Sequence, residues 1–360
     1  MKTKILIFGA TGSIGKQALD IINKSKNLIL CGFSYHNNDA LARKIKNKYK
    51  VTSILKSGPN TSIKEIKEII KKVKPNLIVN AVVGFAGINY TLASIKCKID
   101  LALANKESLV CAGQFIMPLA HKNKVHIYPI DSEHSALYQL LHRRWKRPIC
   151  FSYITASGGP FWEYDKQSLS KVTFKQAVKN PNWKMGERVS VDSATLINKA
   201  YERVEAYWLF NKIKVNALVQ RKSLIHAFVQ LDNNQLVVYT GKADMHWPIQ
   251  LALNKYTCAD NNMKEYKCIE DVPYKLESLK HKSLKGYTYA RMMLRRPCGP
   301  LPIIINAADE EAIRLFKAGK IKFLDIYKLI DKCINEFKEY KITDLEDVYE
   351  LDRLVRKQIK

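Results

Sequence analysis

No apolar run in this chain approaches the ~20 residues a membrane-spanning helix requires; the longest, Leu77 to Ala86, is short and carries Asn80. A membrane-embedded role is not expected. The N-terminus runs straight into a strand-like KILIFG, without the charged, apolar and small-residue succession of a signal peptide. Cysteine is sparse and unpatterned. The eight residues (Cys31, Cys97, Cys111, Cys150, Cys258, Cys268, Cys298, Cys333) form no CxxC pair and no zinc-finger spacing, in a chain too large to need disulfide staples. Reduced thiols and a cytoplasmic location are the expectation. Acidic residues are few, 33 against 60 Lys and Arg, leaving a net charge of +27. Such a balance fits nucleic acid, an anionic surface or small anionic ligands. The lysines are spread through every segment, not gathered into a basic face with aromatics, so neither nucleic acid nor a membrane is the expected partner. No internal repeat or low-complexity tract is evident.

What is present suits a sizeable globular protein. The 360 residues, 47% hydrophobic, predict about two or three domains. A strand (residues 4–9), a turn ATGSIG and a helix GKQALDIINKS open the chain. Strands at Asn27–Phe33 and Asn76–Val83 then alternate with helices at Ile63–Val73 and Asn89–Lys96, and further strands are expected at Leu101–Ala104 and Val125–Ile130. Strand–helix alternation of this kind makes a parallel, doubly wound, Rossmann-like sheet. From Phe151 the pattern loosens into an α+β domain, with strands at Phe151–Ala156, Ser223–Gln230 and Gln235–Thr240. Residues 254–305, with RRPCGPLP, read as a surface connection. Helical spacing at Ala307–Lys317, Leu324–Phe337 and Asp344–Ile359 predicts a small helical domain. The expected division is 1–130, 131–253, 254–305 and 306–360.

Several segments carry chemistry. Gly9, Gly12 and Gly15 follow a strand and open a helix, the setting in which glycines admit a pyrophosphate to backbone N–H groups. At the end of the next strand an NAD site places a carboxylate for the ribose hydroxyls. Here stand Ser34, Tyr35, His36 and Asn37, so a 2′-phosphate is the better guest and NADPH is expected over NADH. Asp131, Ser132 and Glu133 follow the strand-like VHIYPI; in an extended chain the two carboxylates share a face, and with Glu202 they make hard oxygen ligands for Mg²⁺ or Mn²⁺. A solvated acidic turn is the alternative, and His134 reads as structural. Lys106, between Asn105 and Glu107, follows another strand and is placed to meet a substrate oxygen. In VDSATLINKAYERVE, Asp192 or Ser193 suits an N-cap whose free N–H groups would hold a phosphate, with Asn198, Lys199 and Glu202 on the polar face beyond it; an ordinary amphipathic surface helix would look similar. Ser157 in TASGGPF suits phosphate oxygens. Trp183 and Met185, in the Pro181–Gly186 loop PNWKMG, suit a lid over a ligand.

Taken together and in order, GATGSIG, ALANKESLV, PIDSEH, ASGGPF, PNWKMGERVSVDSAT and NKAYERVEA, continued by DMHWPI and NAADEE, resemble the 1-deoxy-D-xylulose 5-phosphate reductoisomerase family along the whole chain. The resemblance implies NADPH-dependent production of 2-C-methyl-D-erythritol 4-phosphate, a divalent metal, a flexible lid and a homodimer. It assigns Thr11, Gly12, Ser13, Ile14, His36, Asn37, Asn105, Glu107 and Gly186 to NADPH, and Asp131, Glu133 and Glu202 to the metal. Lys106, Ser132 and Glu133 would contact the phosphorylated sugar near its reacting carbons; Ser157, Ser193, Asn198 and Lys199 would hold it, chiefly by its phosphate. Where the family carries histidine before the lid, this chain has Asn180. Asparagine donates without charge, so weaker substrate binding, by about 1 kcal/mol, is the expectation. Two rivals are a semialdehyde reductase, which shares the turn and NADPH but lacks the three-carboxylate site, and a nucleotide-binding protein without metal-dependent turnover.

Overall fold

The computed structural model describes residues 2–58, 61–143, 145–183, 185–257 and 275–359; Cys258, Cys268 and Lys184 lie outside them. The chain forms two compact units. The first comprises Met1–Ser108, Ile116–His142 and Asp244–Tyr266. It holds β1 (Thr3–Phe8), β2 (Leu28–Tyr35), β3 (Ile54–Lys56), β4 (Leu77–Asn80), β5 (Asp100–Leu103) and β6 (Ile127–Pro129) in one sheet of order β3-β2-β1-β4-β5-β6. Every pairing is parallel. The central strands are buried on both faces, which is why they read as unbroken apolar runs: Ile5 to Phe8 and Leu77 to Val79 are fully buried. Strand order reverses between β1 and β4, so their carboxyl ends open the crevice in which such sheets bind ligands.

The Ile63–Val73 helix stands where its periodicity put it, started by a Ser62/Glu65 capping box. Other elements left weak sequence signals. The Asp39–Tyr49 helix buries only Ala42 and Ile45 among its cations, and β3 is three residues long. Asp131 and Glu133 are not on extended chain as expected. A helix, Ser132–Leu141, begins at once, with Asp131 at its N-cap position and Glu133 in its first turn. Here Ser-Glu-His-Ser continues into an apolar-rich run, Ala-Leu-Tyr-Gln-Leu-Leu, so helix formation starts at the strand end.

The second unit, Leu109–Phe115, Arg143–Ala243 and Lys267–Lys360, contains β7 (Ile149–Ala156), β8 (Val215–Val219), β9 (Ile225–Leu231), β10 (Leu236–Thr240) and β11 (Glu277–Ser278). Their order is β10-β9-β7-β8-β11, with β7–β8 parallel and the rest antiparallel. Helices Leu301–Lys317, Asp325–Phe337 and Leu345–Ile359 close the chain. The RRPCGPLP segment, expected as a surface connection, instead starts the first of these six residues before Ala307, with Pro300 at its N-cap and Pro302 in the first turn, where a missing N–H costs nothing. The Thr288–Arg295 helix before it buries Tyr289, Ala290 and Met293.

The single helix expected to open at Asp192 is two. Glu187–Thr195 ends at Leu196, whose backbone is left-handed (φ 63°), and Ile197–Leu209 starts immediately afterwards. Asp192 and Ser193 therefore sit in the last turns of the first helix. The positive end of a helix dipole belongs instead to Ile197, Asn198 and Lys199.

Candidate functional site

In the first unit the turn after β1 is built for close approach. Gly9 has φ 83°, its N–H donates to Ser34 Oγ at 3.0 Å, and a Cβ at Gly15 would lie 2.4 Å from the Gly9 carbonyl oxygen. Only glycine lets the Ser13–Lys24 helix pack that tightly against the turn. Thr11 and Ile14 are partly exposed, and Gly12 and Ser13 are exposed, leaving the helix N-terminus open to an anion. β2 runs to Tyr35, two residues further than expected, and delivers His36 and Asn37 to solvent at its carboxyl end. The His36 Nδ1 lies 2.7 Å from the Ser57 carbonyl. Nδ1 must therefore carry a proton, and His36 donates from Nε2 only as the imidazolium.

Asn105 and Glu107 are buried rather than displayed. Asn105 caps the Lys106–Lys122 helix through Oδ1, which accepts from Ser108 N, while its Nδ2 donates to Val82 O (2.8 Å), Gly84 O (2.9 Å) and Glu107 Oε2 (2.7 Å). Their visible work is to hold the 82–84 loop at the switch point, a role that left no mark in the sequence. Lys106, only 8% exposed, donates from Nζ to Asp131 Oδ2 at 2.9 Å. Asp131 is flanked on its other oxygen by the fully buried His134, Nδ1 to Oδ1 3.6 Å. Ser132 Oγ donates to Glu133 Oε2, and Asp131 and Glu133 bring carboxylate oxygens within 4.8 Å of each other. Two hard oxygen donors so placed fit a divalent cation of the Mg²⁺ type.

The second unit gathers the other polar groups. The turn after β7 runs through Gly158 (φ 81°) and Gly159 (φ 71°), and Gly159 N donates to Ser157 Oγ at 3.2 Å. A Cβ at Gly159 would meet the Ser193 carbonyl oxygen at 2.6 Å, so this turn lies directly on the end of the Glu187–Thr195 helix. Asn180 joins them: Nδ2 donates to Ser193 Oγ (3.1 Å), while Oδ1 accepts from Asn182 N (3.0 Å) and Trp183 N (3.1 Å). The ring of Trp183 packs 6.0 Å from that of His226, centroid to centroid, and Gly186 caps the Glu187–Thr195 helix in open space. Lys199 and Glu202, both almost fully buried, form an ion pair, and Asn198 Nδ2 also donates to Glu202. Two donors on one buried carboxylate offset part of the cost of burying its charge.

Two features escaped the sequence. Arg221 donates from Nη1 to the carbonyls of Ser157 and Gly159. Behind the Ser193 helix, Arg188 reaches Glu310 Oε1 (2.7 Å) and Asn306 Oδ1 (2.8 Å), with Nε 3.6 Å from Asp192 Oδ2. Beside it Tyr201 Oη donates to Asp309 Oδ2 at 3.1 Å. Burial, and then the neighbouring Asp192, hold the Asp309 carboxyl well above the usual carboxylate range, against the pull of Arg188. In the sequence these were ordinary members of charged helices.

Comparison with known proteins bears on the whole chain. Family models described as 1-deoxy-D-xylulose 5-phosphate reductoisomerase match residues 5–65 and 55–113; models of its C-terminal domains match 127–210 and 240–358. A reductoisomerase of that name from Malacoplasma penetrans is 39% identical over 99% of this chain and 95% of its own. A crystal structure of DOX-P reductoisomerase in complex with NADPH, fosmidomycin and magnesium superposes with a TM-score of 0.88 at 28% identity, covering 99% of this chain and 97% of that one. The enzyme from Zymomonas mobilis in complex with NADPH gives 0.85 at 27%, covering 100% and 98%.

Proposed function

The chain belongs to the 1-deoxy-D-xylulose 5-phosphate reductoisomerase family, and from that premise we propose how its residues divide the work. The reaction is the NADPH- and divalent-metal-dependent isomerisation and reduction of 1-deoxy-D-xylulose 5-phosphate to 2-C-methyl-D-erythritol 4-phosphate, a step in isoprenoid precursor synthesis. Thr11, Gly12, Ser13 and Ile14 receive the dinucleotide at the open helix end, and His36 and Asn37 receive its 2′-phosphate. Asn105 and Glu107 shape the cofactor pocket through the 82–84 loop they hold, and Gly186 contributes from the lid. NADPH supplies the hydride, and Mg²⁺ or Mn²⁺ supplies Lewis-acid polarisation of the substrate's ketone and hydroxyl oxygens.

Asp131, Glu133 and Glu202 are the residues we assign to the metal. Lys106, Ser132 and Glu133 face the reacting carbons, with the Lys106 ammonium donating to a substrate oxygen. Ser157, Asn180, Ser193, Asn198 and Lys199 hold the phosphate end; Trp183 covers the bound sugar and excludes water. Asn180 acts through Ser193 and the lid backbone, which it already bonds. The observation that carries the reading is the Asp131/Glu133 pair, beside Lys106, at the carboxyl edge of the same parallel sheet whose β1 turn suits a pyrophosphate. The parts we assign are 1–130 for NADPH, 131–253 for catalysis, 254–305 for connection and 306–360 as a helical closure, in a cytoplasmic enzyme.

We also infer a homodimer. Val238 on β10 (40% exposed) stands in register with the stacked Tyr153–Phe228 pair, Phe151 on β7 (50%) and Leu236 (55%) flank it across Gln230, and a second copy of this sheet is the occupant we assign to that apolar face. Light scattering of wild type and Val238→Glu tests it: a dimer converted to monomer supports the assignment. The activity itself is tested by following NADPH absorbance with the sugar phosphate and Mg²⁺ or Mn²⁺. Oxidation that EDTA abolishes and added metal restores is expected. NADPH binding without metal-dependent turnover would favour the rival readings.

A further inference from the structure

We propose that Arg221 is an additional phosphate-binding residue, supplying the cationic charge that the Ser157–Asn180–Ser193 cluster lacks. The inference rests on the reductoisomerase reading and adds to it a residue that reading does not contain. The groups already gathered there, Ser157 Oγ, Ser193 Oγ and the Asn180 amide, are neutral. Neutral donors bind a phosphate dianion about half as strongly as charged ones. Lys199, the cation already assigned to the phosphate end, is shared with the buried Glu202 carboxylate. Arg221 is the cation that lies across the turn: Nη1 donates to the carbonyls of both Ser157 and Gly159.

That arrangement leaves donors over. Among the described residues the Nε and Nη2 groups of Arg221 take no hydrogen bond, and the side chain is half-buried, so it faces solvent from the turn that carries Ser157. A guanidinium presents its donors in a fixed planar fork, and tying one nitrogen to two carbonyls sets the direction of the others. Gly158 makes room for it; a Cβ there would come within 2.7 Å of Nη1. The backbone is used as well. Asn182 of the Pro181–Gly186 loop donates from Nδ2 to the Arg221 carbonyl (2.6 Å) and to Ser223 Oγ (3.0 Å). The same residue thus touches the Ser157 turn with its side chain and the Trp183 loop with its main chain.

The test compares wild type, Arg221→Lys and Arg221→Gln. For each, KM and kcat for the sugar phosphate, the inhibition constant of inorganic phosphate against it, and the dissociation constant of NADPH are measured. Charge lost at a phosphate contact predicts that Arg221→Gln raises KM and the phosphate inhibition constant together, by about ten- to a hundredfold. The kcat should change less than about threefold and NADPH affinity should be unaffected, with Arg221→Lys recovering most of the loss. A residue that only props the turn would lower kcat and the melting temperature in both variants and leave phosphate inhibition where it was, and that result overturns the proposal. If the wild type does not turn over the sugar phosphate, the reductoisomerase reading falls. The rise in melting temperature caused by inorganic phosphate, lost in Arg221→Gln and kept in Arg221→Lys, then still decides the role of Arg221.

Discussion

Replacing Asp309 by asparagine should stabilise this protein, and more so as the pH rises. Asp309 is fully buried on the Leu301–Lys317 helix. It faces Asp192 and Arg188 from the Glu187–Thr195 helix and accepts a hydrogen bond from Tyr201; Tyr289 and Tyr327 are close enough to feel its charge. Desolvation and the second carboxylate raise its folded-state pKa, so the Asp192–Asp309 pair keeps a proton that the unfolded chain releases near the ordinary carboxylate value of ~3.9. A raised pKa contributes stability that is fully present below the unfolded value and is lost as pH climbs toward the folded one. The slope is about 1.4 kcal/mol per pH unit while the proton is held, so wild-type stability falls steadily as pH climbs above the ordinary carboxylate range. An asparagine in place of Asp309 would imitate the protonated acid at every pH, its amide donating to Asp192 and its carbonyl accepting from Tyr201. Urea unfolding followed by tryptophan emission is the assay, since Trp145, Trp162, Trp183 and Trp208 all lie in the second unit. Variant and wild type should agree most closely at acid pH and diverge as the pH rises. Parallel pH profiles, or a constant loss in the variant, would refute the shared proton.

Gly15→Ala would drive a Cβ into backbone at Gly9 and Ala10, so NADPH binding, read by its fluorescence, should weaken by more than about a hundredfold. His36→Leu removes one charge-assisted bond to a 2′-phosphate and should weaken NADPH by about ten- to a hundredfold while sparing NADH; equal losses would show that the ring only braces Ser57. The gain expected from charge at position 180 should not materialise. Imidazole accepts at one nitrogen where Asn180 Oδ1 accepts from two lid N–H groups, so Asn180→His should leave KM within about twofold, and a tenfold fall would reinstate the simple charge argument. Arg356→Met strips Glu310, Glu311 and Asp352 of their shared cation and should cost about 3 kcal/mol in urea unfolding without altering KM.

The first sheet was legible because parallel strands covered on both faces leave continuous apolar runs, and because glycine at positions 9, 12 and 15 is tied to a turn geometry that few other residues allow. Nothing comparable marked the break at Leu196. Leucine favours helix, and its left-handed backbone is imposed from outside: a Cβ on Gly286 would lie 2.2 Å from the Thr195 carbonyl, so that distant segment packs into the break itself. The candidate site was legible where a motif puts its residues within a few positions of one another, as at Asp131–Glu133. It was not readable where partners come from far along the chain. Arg221 was one cation among 60, distinguished only once the carbonyls of Ser157 and Gly159 were beside it. Asp309 needed Asp192, more than a hundred positions away, to become unusual.

The lysines that neutralise the carboxylates have a thermodynamic corollary. Lys106 holds Asp131 and Lys199 holds Glu202, so the protein carries its own displaceable counter-ions. On the proposed assignment, a divalent cation arriving at either carboxylate competes with the ammonium group that holds it and, on succeeding, releases that group as a donor for an anion. By linkage the reverse holds to the same degree: an anion that draws the ammoniums away leaves the carboxylates hungrier for the cation. Metal and sugar phosphate should therefore bind with mutual cooperativity, each weak alone, and a protein surrounded by cellular cations would commit its metal chiefly when there is substrate to use it.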